Sequence, residues 1–538
     1  MNNVKLLIAL WTCQLLCLNS FGQQTGKWGD QGNGTYINPV LPGDFSDLDA
    51  IRAGNDFYAI SSTMQYSPGM VVLHSKDLVN WEIISHIVPD LTRISPNLNW
   101  DKMNCYGKGI WAGSLRYYKN KFWVYFGTPD DGFFMSTAAN PAGPWEPAHQ
   151  LWKVSGWDDC CSLCDEDGQL YFVATNYETD PKNNKKYNIH VFKMTPDGKK
   201  LMMGTDSIIH QSHGSEANKL YKINGLYYHL FSEVKSEGRV IMMERSKSIY
   251  GPWEIKQLNH VNKMLDKEPN QGGLIQLTSG AWYFFTHHGT GDWEGRAASL
   301  LPVTWINGWP IIGKVGNDTI GSMVWSGRKP IHLKAPLLTI QTDDNFNSAT
   351  LLPQWEWNYQ PRSDKWSLTD HKGFLRLYAF RPVTSDNKNI LLQAGNTITQ
   401  RSLRTKSNAV TVKLDIDGMR NGEYAGLTHF STSGTSCIGI KQVNNSRYLT
   451  YTHNDQDSTG PTIAGRTIWL RSAWTYEGEN RYFYSVDGKL FLPFGGVARL
   501  AWGSYRGDRI GIFNFNTESD SGFVDIDSFR YSDSRLKY

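Results

Sequence analysis

Three acidic side chains recur at nearly the same distance before a repeated turn of this sequence. Asp159 and Glu216 lie nine residues before a turn glycine, and Asp47 lies eight residues before Asn55. Hydrolysis of an acetal needs one acid to protonate the leaving oxygen and a second carboxylate to activate water or attack the anomeric carbon. A third carboxylate nearby raises the pKa of its neighbour by like-charge repulsion. We therefore interpret Asp159 as a group that helps Glu216 to stay protonated as an acid.

The same three carboxylates are open to two other interpretations from the residues alone. Acidic side chains at a channel mouth can bind a cation, and they can also be solvated without a further role. At this point the sequence leaves catalysis, cation binding and solvation open.

Two further side chains occupy the same repeated position. Trp111 lies nine residues before Asn120, and Gln271 lies nine residues before Gly280. An aromatic ring can stack on the apolar face of a sugar, and an amide can hydrogen-bond to its hydroxyl groups. We expect both side chains to contact substrate.

The repeated turn itself predicts the architecture. Each copy is a Gly- or Asn-containing turn that opens into a strand with paired aromatic or apolar residues, and successive turns are roughly 50 to 65 positions apart, the length of one four-stranded propeller blade. The copies begin at Gly54, Lys119, Asp167, Asn224 and Ser279. Five copies predict a five-bladed β-propeller, in which the innermost strands line a central channel and bring the repeated positions together. The first copy is one residue out of step, and such a slip turns a strand side chain to the other face, so spacing alone does not bring Asp47 to the axis.

The chain divides into three parts. Residues 1–22 combine Lys5, a short apolar run and small residues before Gln23, which is typical of a cleaved secretory signal. Residues 35–330 carry the propeller repeats. A Pro-containing stretch then leads to residues 340–538, whose short alternating strands predict a β-sandwich or jelly roll. The whole protein is expected to be all-β.

Composition excludes several classes of partner. The net charge of the 538 residues is only +3, with scattered Lys and Arg, which does not favour nucleic acid. After the signal, no stretch is long and apolar enough to span a membrane. We expect an exported protein, periplasmic or at the cell surface or secreted, with lipid attachment at Cys17 as the less favoured alternative.

Several motifs resemble glycoside hydrolase family 43, in order along the chain. They are the segments 38–49, 109–112, 157–161, 165–168, 214–222, 270–273, 295–296 and 301–305. The C-terminal part resembles the concanavalin-like sandwich of some xylosidases and arabinofuranosidases of that family. The resemblance implies a five-bladed propeller that hydrolyses arabinosyl or xylosyl linkages with inversion.

The resemblance also implies a role for each site residue. It makes Asp47 the general base, Asp159 the pKa modulator and orienting residue, and Glu216 the general acid. It adds a sugar contact from Arg296. It further implies a metal, often calcium, beneath the channel with a His ligand, most nearly His287, although the adjacent His288 is an alternative; no organic cofactor is expected.

The sequence departs from the family pattern at two places. Ala217 and Asn218 follow Glu216 where the usual motif is Glu-Gly-Pro, and Leu48 follows Asp47 where the usual residue is Pro. Both changes alter backbone stiffness beside a reactive group without removing it. We therefore expect a pocket shape that differs from that of better-known members.

These features together predict an exo-acting, inverting glycosidase with an oligo- or polysaccharide substrate. The favoured activity is release of terminal α-L-arabinofuranosyl residues from plant hemicellulose side chains, because a sandwich that narrows the pocket would favour terminal sugars. The alternatives are a β-D-xylosidase acting on xylo-oligosaccharides and a non-catalytic carbohydrate-binding propeller. A protein-interaction propeller is disfavoured, since it would not need three convergent acids.

Overall fold

The protein is described by a computed structural model that covers residues 27–177, 186–261, 269–288, 291–334, 337–384 and 390–534. The predicted signal at residues 1–22 and Cys17 lie outside these ranges. Within them, helical structure is confined to the short 3-10 helices Leu91–Arg93, Pro96–Leu98, Met203–Thr205, Ser363–Lys365 and Ile390–Leu392. The expected all-β class is confirmed.

Five four-stranded antiparallel sheets follow one another in the N-terminal domain. Sheet 1 contains Asp49–Ala53, Asp56–Ser61, Gly69–Ser75 and Trp81–Val88. Sheet 2 contains Gly113–Tyr118, Lys121–Thr128, Gly132–Ala138 and His149–Trp152. Sheet 3 contains Trp157–Cys164, Leu170–Asn176, Lys186–Met194 and Ser207–His213. Sheet 4 contains Glu216–Ile223, Leu226–Lys235, Gly238–Ser246 and Glu254–Gln257. Sheet 5 contains Pro269–Gln276, Trp282–His288, Ala298–Ile306 and Trp309–Ile312.

The repeated turn joins the first two strands of every sheet. In sheets 3 and 4 its glycines, Gly168 and Gly225, have φ of +85° and +78°, a conformation that other residues adopt only at a cost. The aromatic residues after the turn then pack between neighbouring sheets. Their burial, at about 1.5–3 kcal/mol for each large apolar side chain, is the main force that stacks the sheets.

The first strands of the five sheets form a closed ring. Each contacts the first strand of the next sheet, and Pro269–Gln276 of sheet 5 contacts Asp49–Ala53 of sheet 1. The buried apolar residues accordingly form five layers, one between each pair of adjacent sheets. Val40 and Leu41 fasten the ring through backbone hydrogen bonds with Ala298. The arrangement is that of a propeller, with the first strands around its axis.

Additional short strands lie beside the propeller sheets. Gly29–Asp30, Thr35–Ile37 and Ser326–Arg328 form a three-stranded sheet, and Lys314–Val315 pairs with Gly321–Ser322. The three-stranded sheet therefore pairs the chain before the propeller with the chain after it.

The C-terminal domain is a sandwich of two antiparallel sheets, A and B. Sheet A runs in the order Gln456–Thr462, Ser446–His453, Gly434–Val443, Glu423–Ser431, Arg509–Asn516, Ile398–Arg401, Glu356–Asn358 and Tyr66–Ser67. Sheet B runs Trp366–Ser367, Leu375–Tyr378, Phe523–Asp533, Ser407–Asp415, Thr467–Thr475, Glu479–Ser485 and Leu492–Pro493, and Ala498–Arg499 also pairs with its sixth strand. The largest apolar cluster of the domain fills the space between them.

One strand of sheet A comes from the propeller domain. Tyr66–Ser67 leaves sheet 1 and pairs with Glu356–Asn358 of the sandwich, with Trp357 opposite Ser67. The two domains thus share a hydrogen-bonded sheet. This junction joins the sandwich to the propeller through backbone pairing.

Candidate active site

A cavity of about 670 Å³ lies at the end of the ring where the first strands begin. It is lined by Asp47, Met64, Trp111, Asp158, Asp159, Thr175, Tyr177, Tyr187, Glu216, Arg239, Asn270, Gln271, Gly291, Arg296, Trp502, Ser504 and Tyr505. The structure therefore brings together six of the seven site residues expected from the sequence. The seventh, His287, is fully buried and does not line the cavity.

An irregularity of the backbone recurs where the first strands reach the cavity. The pairing register shifts between Asp158 and Cys161 in sheet 3, between Glu216 and Lys219 in sheet 4, and at the matching place in sheet 5, just before Gly272. A β-bulge re-aims the side chains around it, and bulges are common beside active sites. The bulges explain how a strand presents consecutive polar residues to one cavity.

The backbone at the carboxylates is left-handed at three non-glycine residues. Asp47 has φ of +55°, Asp159 of +51° and Ala217, next to Glu216, of +67°. Such conformations cost of order 1–3 kcal/mol and persist when the surroundings fix them. Asp47 precedes the first strand of sheet 1, so the alternation of a strand does not apply to it. It therefore reaches the cavity despite the one-residue offset in spacing.

Asp47 is held by three neighbours and is only 7% exposed. Its Oδ1 lies 2.9 Å from the Arg296 guanidinium, its Oδ2 accepts a 2.6 Å hydrogen bond from Ser62, and its backbone N–H donates to His287 Nδ1. Burial alone would raise the pKa of Asp47, but Arg296 and the other neighbours hold it below the ordinary value. Asp47 is therefore a carboxylate at neutral pH, as a general base must be.

Glu216 is the most open of the three acids, with 34% of its side chain exposed. Arg239 lies 3.1 Å from Glu216 Oε1 and is itself fixed by hydrogen bonds to Gly214 O and Ser232 Oγ. Sequence reasoning missed Arg239, because it lies on the third strand of sheet 4, away from every repeated position and motif. Its contact orients the Glu216 carboxyl toward the cavity.

Asp159 is hydrogen-bonded to the backbone beside Glu216. Its Oδ2 accepts a 2.5 Å hydrogen bond from the N–H of Ala217, the residue after Glu216. Burial first, and then repulsion by Glu216 and Asp47, raises the pKa of Asp159 to about 7. Asp158, which sequence reasoning passed over although it forms an acidic pair with Asp159, lines the same cavity, and burial and Asp159 raise its pKa well above the ordinary value. The cavity thus brings several acidic groups together, and not all of them are ionised at neutral pH.

Asn218, at the departure from the usual Glu-Gly-Pro motif, is a buried crosslink. Its Nδ2 donates to the backbone oxygen of Asp159 at 2.8 Å and to Thr175 Oγ1 at 2.9 Å. Its Oδ1 lies 2.9 Å from His229 Nε2. A proline could make none of these bonds, so this chain holds the strand of Asp159 against the strand of Glu216 by side-chain hydrogen bonds.

Trp111 and Gln271 face the cavity from sheets 2 and 5. Trp111 Nε1 donates to Gly107 O at 2.9 Å, which fixes the plane of the ring. The buried Nε2 of Gln271 and Oδ1 of Asn270 have no hydrogen-bond partner among the described residues. Buried polar groups are normally paired, so these two atoms are available to hydrogen-bond to a ligand in the cavity.

The sandwich domain closes one side of the cavity through Trp502, Ser504 and Tyr505. Sequence reasoning anticipated a narrowed pocket but not these residues, which carry no motif. A Cβ atom on Gly291 would lie 1.9 Å from the Trp502 ring, so glycine is required for this close approach. Tyr505, 62% exposed, has φ of +63° and lies at the open rim.

The surroundings of His287 do not fit direct coordination of calcium. Its Nδ1 accepts the backbone N–H of Asp47 at 2.9 Å, so the ring proton lies on Nε2 and leaves no lone pair there for a cation. Burial and the nearby Arg296 lower the pKa of His287 to about 3, which keeps the ring neutral. Within the described ranges, no group of three or more His, Cys, Asp or Glu side chains could hold a metal ion. The calcium site remains a prediction that these residues do not support.

Comparison with known proteins identifies both domains. The model of glycosyl hydrolases family 43 matches residues 36–310, and that of the β-xylosidase C-terminal concanavalin A-like domain matches residues 343–532. A β-xylosidase of Formosa agariphila is 33% identical, over 94% of this chain and 92% of its own. A non-reducing end α-L-arabinofuranosidase of Bacteroides ovatus is 33% identical, over 64% and 65%.

A solved structure gives the same picture. It is an engineered family-43 glycoside hydrolase that displays both endo-xylanase and exo-arabinofuranosidase activity, is 27% identical, and superposes with a TM-score of 0.79 over 93% of this chain and 99% of its own. The fold and the relatives agree. This chain belongs to glycosyl hydrolases family 43 and is a hydrolase that acts on a saccharide.

Proposed function

We propose that this glycosidase is exo-acting, inverts configuration, and releases terminal α-L-arabinofuranosyl residues from plant hemicellulose side chains. One observation carries the proposal: Asp47, ionised, and Glu216, more exposed, line one cavity that the sandwich closes on one side. A cavity closed on one side admits the end of a saccharide more readily than its middle.

The proposed reaction is a single displacement. Asp47 takes a proton from a water molecule as that water attacks the anomeric carbon, and Glu216 gives a proton to the departing glycosidic oxygen. Arg296 holds Asp47 at 2.9 Å and supplies a guanidinium edge to the sugar pocket. Asp159 fixes the backbone beside Glu216 through its hydrogen bond to Ala217.

β-D-Xylosidase activity is the second candidate, and one observation favours it. The relative that matches 94% of this chain is named a β-xylosidase, whereas the named arabinofuranosidase matches 64%. We expect kcat/KM on 4-nitrophenyl α-L-arabinofuranoside to exceed that on 4-nitrophenyl β-D-xyloside under identical conditions. Clear dominance of the xyloside would replace our first candidate by the second.

Inversion has its own test. When hydrolysis is followed by proton NMR, the first anomer to appear should have the configuration opposite to that of the substrate, and mutarotation should follow. A first product with retained configuration would require a covalent intermediate and would overturn the role given to Asp47.

We also propose that the protein is exported after cleavage of residues 1–22. None of the helices in the described ranges is long and apolar enough to cross a bilayer. Mass spectrometry of the N-terminus should find a chain that begins at Gln23. A lipid-modified chain beginning at Cys17 would instead support anchoring, and an intact Met1 terminus would contradict export by this signal.

A further inference from the structure

A fully buried ion pair crosses the interface between the two domains beside the carboxylate cavity. Arg506 of the sandwich lies 2.7 Å from Asp44 of the propeller, and neither side chain is exposed. The guanidinium also donates to Ser46 Oγ at 3.0 Å and to Ser62 O at 3.4 Å. One sandwich side chain thus holds three propeller residues.

These three residues surround Asp47. Asp44 and Ser46 belong to the segment that leads into Asp47, and Ser62 donates the 2.6 Å hydrogen bond to Asp47 Oδ2. Asp47 itself is in the left-handed conformation, φ +55°, which its surroundings must enforce. Arg506 therefore contacts the segment that leads into Asp47, through Asp44 and Ser46. It also contacts Ser62, whose hydroxyl group orients the Asp47 carboxylate.

The loop that carries Arg506 is the loop that closes the cavity. Trp502, Ser504 and Tyr505 line the cavity, and Arg506 follows directly. The next residue, Gly507, donates its N–H to Asp44 Oδ2 at 3.4 Å. A Cβ atom on Gly507 would lie 2.4 Å from the nitrogen of Gly295, so the loop touches the backbone immediately before Arg296.

We propose that Arg506 is a positioning residue for Asp47, through which the sandwich domain completes the catalytic site of the propeller. The proposal rests on the role of general base proposed above for Asp47. It makes the second domain part of the catalytic apparatus as well as a wall of the substrate pocket.

The charge of Arg506 also reaches Asp47. Burial raises the pKa of Asp47, while Arg296 above all, and Arg506 in addition, lower it. The other ionisable groups near this carboxyl include His287, Asp158 and Asp159, and Asp44, the buried partner of Arg506, lies three residues before it. Arg506→Gln removes one positive charge and leaves the buried Asp44 carboxyl without its salt-bridge partner, and both changes act on Asp47 in the same direction, whereas Arg506→Lys keeps the charge.

Arg509 provides a matched control for a purely structural role. It is equally buried in the same interface, where it lies 2.8 Å from Glu356 and stacks 4.2 Å above the Tyr66 ring. No hydrogen bond joins it to Ser46 or Ser62 in the described structure. If Arg506 only joined the domains, the two arginines would be equivalent.

The test compares pH profiles of kcat/KM for Arg506→Gln, Arg506→Lys and Arg509→Lys, with thermal unfolding of each. We expect Arg506→Gln to move the acid limb upward by about one pH unit, a tenfold loss on the acid side, and to lower kcat more than it changes KM. Arg506→Lys should return the acid limb of the profile to its wild-type position. Arg509→Lys should lower Tm without moving the acid limb. Arg506→Gln with an unmoved limb and the Tm loss of Arg509→Lys would overturn the proposal.

Two further variants keep the outcomes separate. Ser46→Ala removes the hydroxyl that joins Arg506, Asp44 and Ser62, so it should lower kcat even if Arg506→Gln does not fold; an unchanged kcat would count against the proposal. Asp47→Asn tests the underlying function. If Asp47→Asn is inactive and the Arg506 limb is unmoved, only the role of Arg506 fails, whereas an active Asp47→Asn refutes the base itself.

Discussion

At the scale of single residues, this site separates its carboxyl groups by environment. Asp47 faces the Arg296 guanidinium and keeps a lowered pKa, while burial and two acidic neighbours raise the pKa of Asp159 to about 7. One group is therefore ready to accept a proton, and another stays largely protonated below neutral pH. The proposed proton donor is nevertheless Glu216, and Asp159 acts beside it through its hydrogen bond from the Ala217 N–H.

The raised pKa of Asp159 predicts how Asp159→Asn changes stability with pH. The folded state holds a proton on Asp159 up to about pH 7, whereas the unfolded state releases it near the ordinary value of 3.8. The contribution of Asp159 to stability therefore falls as pH rises between these values. Chemical denaturation should show that Asp159→Asn gains stability relative to wild type from pH 4 to 7 and levels off above. A pH-independent difference at Asp159 would contradict the account.

Ala217 gives a second prediction at this scale. Its φ of +67° tolerates glycine and strongly disfavours a β-branched side chain. Ala217→Val should destabilise the protein by about 1–3 kcal/mol and lower kcat, because the Ala217 N–H holds Asp159. Ala217→Gly should stay close to wild type in both. Thermal unfolding with steady-state kinetics checks this, and equal behaviour of the two variants would show that the left-handed backbone is not required.

At the scale of elements, the first strands and the sandwich loop build the cavity together. Bulges at matching places in sheets 3, 4 and 5 turn Asp159, Glu216 and Gln271 inward. The loop that bears Trp502 and Tyr505 closes the remaining side. In the proposed mechanism the propeller supplies the reactive groups, and the sandwich limits how much of a substrate enters the cavity.

Gly291 lets the sandwich loop approach the propeller closely, because it has no side chain to meet Trp502. Gly291→Ala would place Cβ 1.9 Å from the Trp502 ring, which must then move. We expect KM for an oligosaccharide to rise several-fold, with a smaller change for an aryl glycoside that fills less of the cavity. Gly204→Ala is the matched control, because nothing lies within 4 Å of its Cβ position. Unchanged kinetics for Gly291→Ala on both substrates would show that the loop does not shape the pocket.

Four of the cavity residues could be predicted from the repeated turns, because a propeller repeats its geometry. Counting a fixed distance from each turn leads to Trp111, Asp159, Glu216 and Gln271, all of which line the cavity. Asp47 could not be placed by counting, since it lies in a left-handed segment outside the strand. Arg239, Arg506 and Trp502 act across long sequence separations, so no local pattern marks them.

At the scale of the whole molecule, the two domains form one structure. They share sheet A, and a buried ionic cluster of the sandwich reaches the propeller. Glu356 contacts both Arg401 and Arg509, and none of the three side chains is more than 4% exposed. His86 of the propeller lies 3.3 Å from Glu356, and Arg401 donates to the backbone oxygen of Asp44 at 2.8 Å. Burying charges is costly unless every one is paired. The cluster therefore ties the position of each domain to that of the other.

Breaking this cluster should destabilise the entire chain. Glu356→Gln leaves two buried arginines without their carboxylate and should cost about 3–5 kcal/mol. Calorimetry should show one cooperative transition at a lower Tm. Glu479→Gln, which removes an exposed partner of Arg499, should change stability by less than about 1 kcal/mol. Two separate transitions in wild type would contradict the coupling of the domains.

The central claim is that Asp47 and Glu216 act as base and acid in one cavity, and leaving-group dependence tests it most directly. General acid catalysis matters in proportion to the basicity of the leaving group. Glu216→Gln should therefore stay within about tenfold of wild type on a dinitrophenyl glycoside and lose about 10²–10⁴ in kcat/KM on a natural disaccharide. Asp47→Asn should lose activity on both substrates. Glu254→Gln, which changes an exposed ion pair, should keep activity on both. Equal losses of Glu216→Gln on both substrates, or an active Asp47→Asn, would contradict the claim.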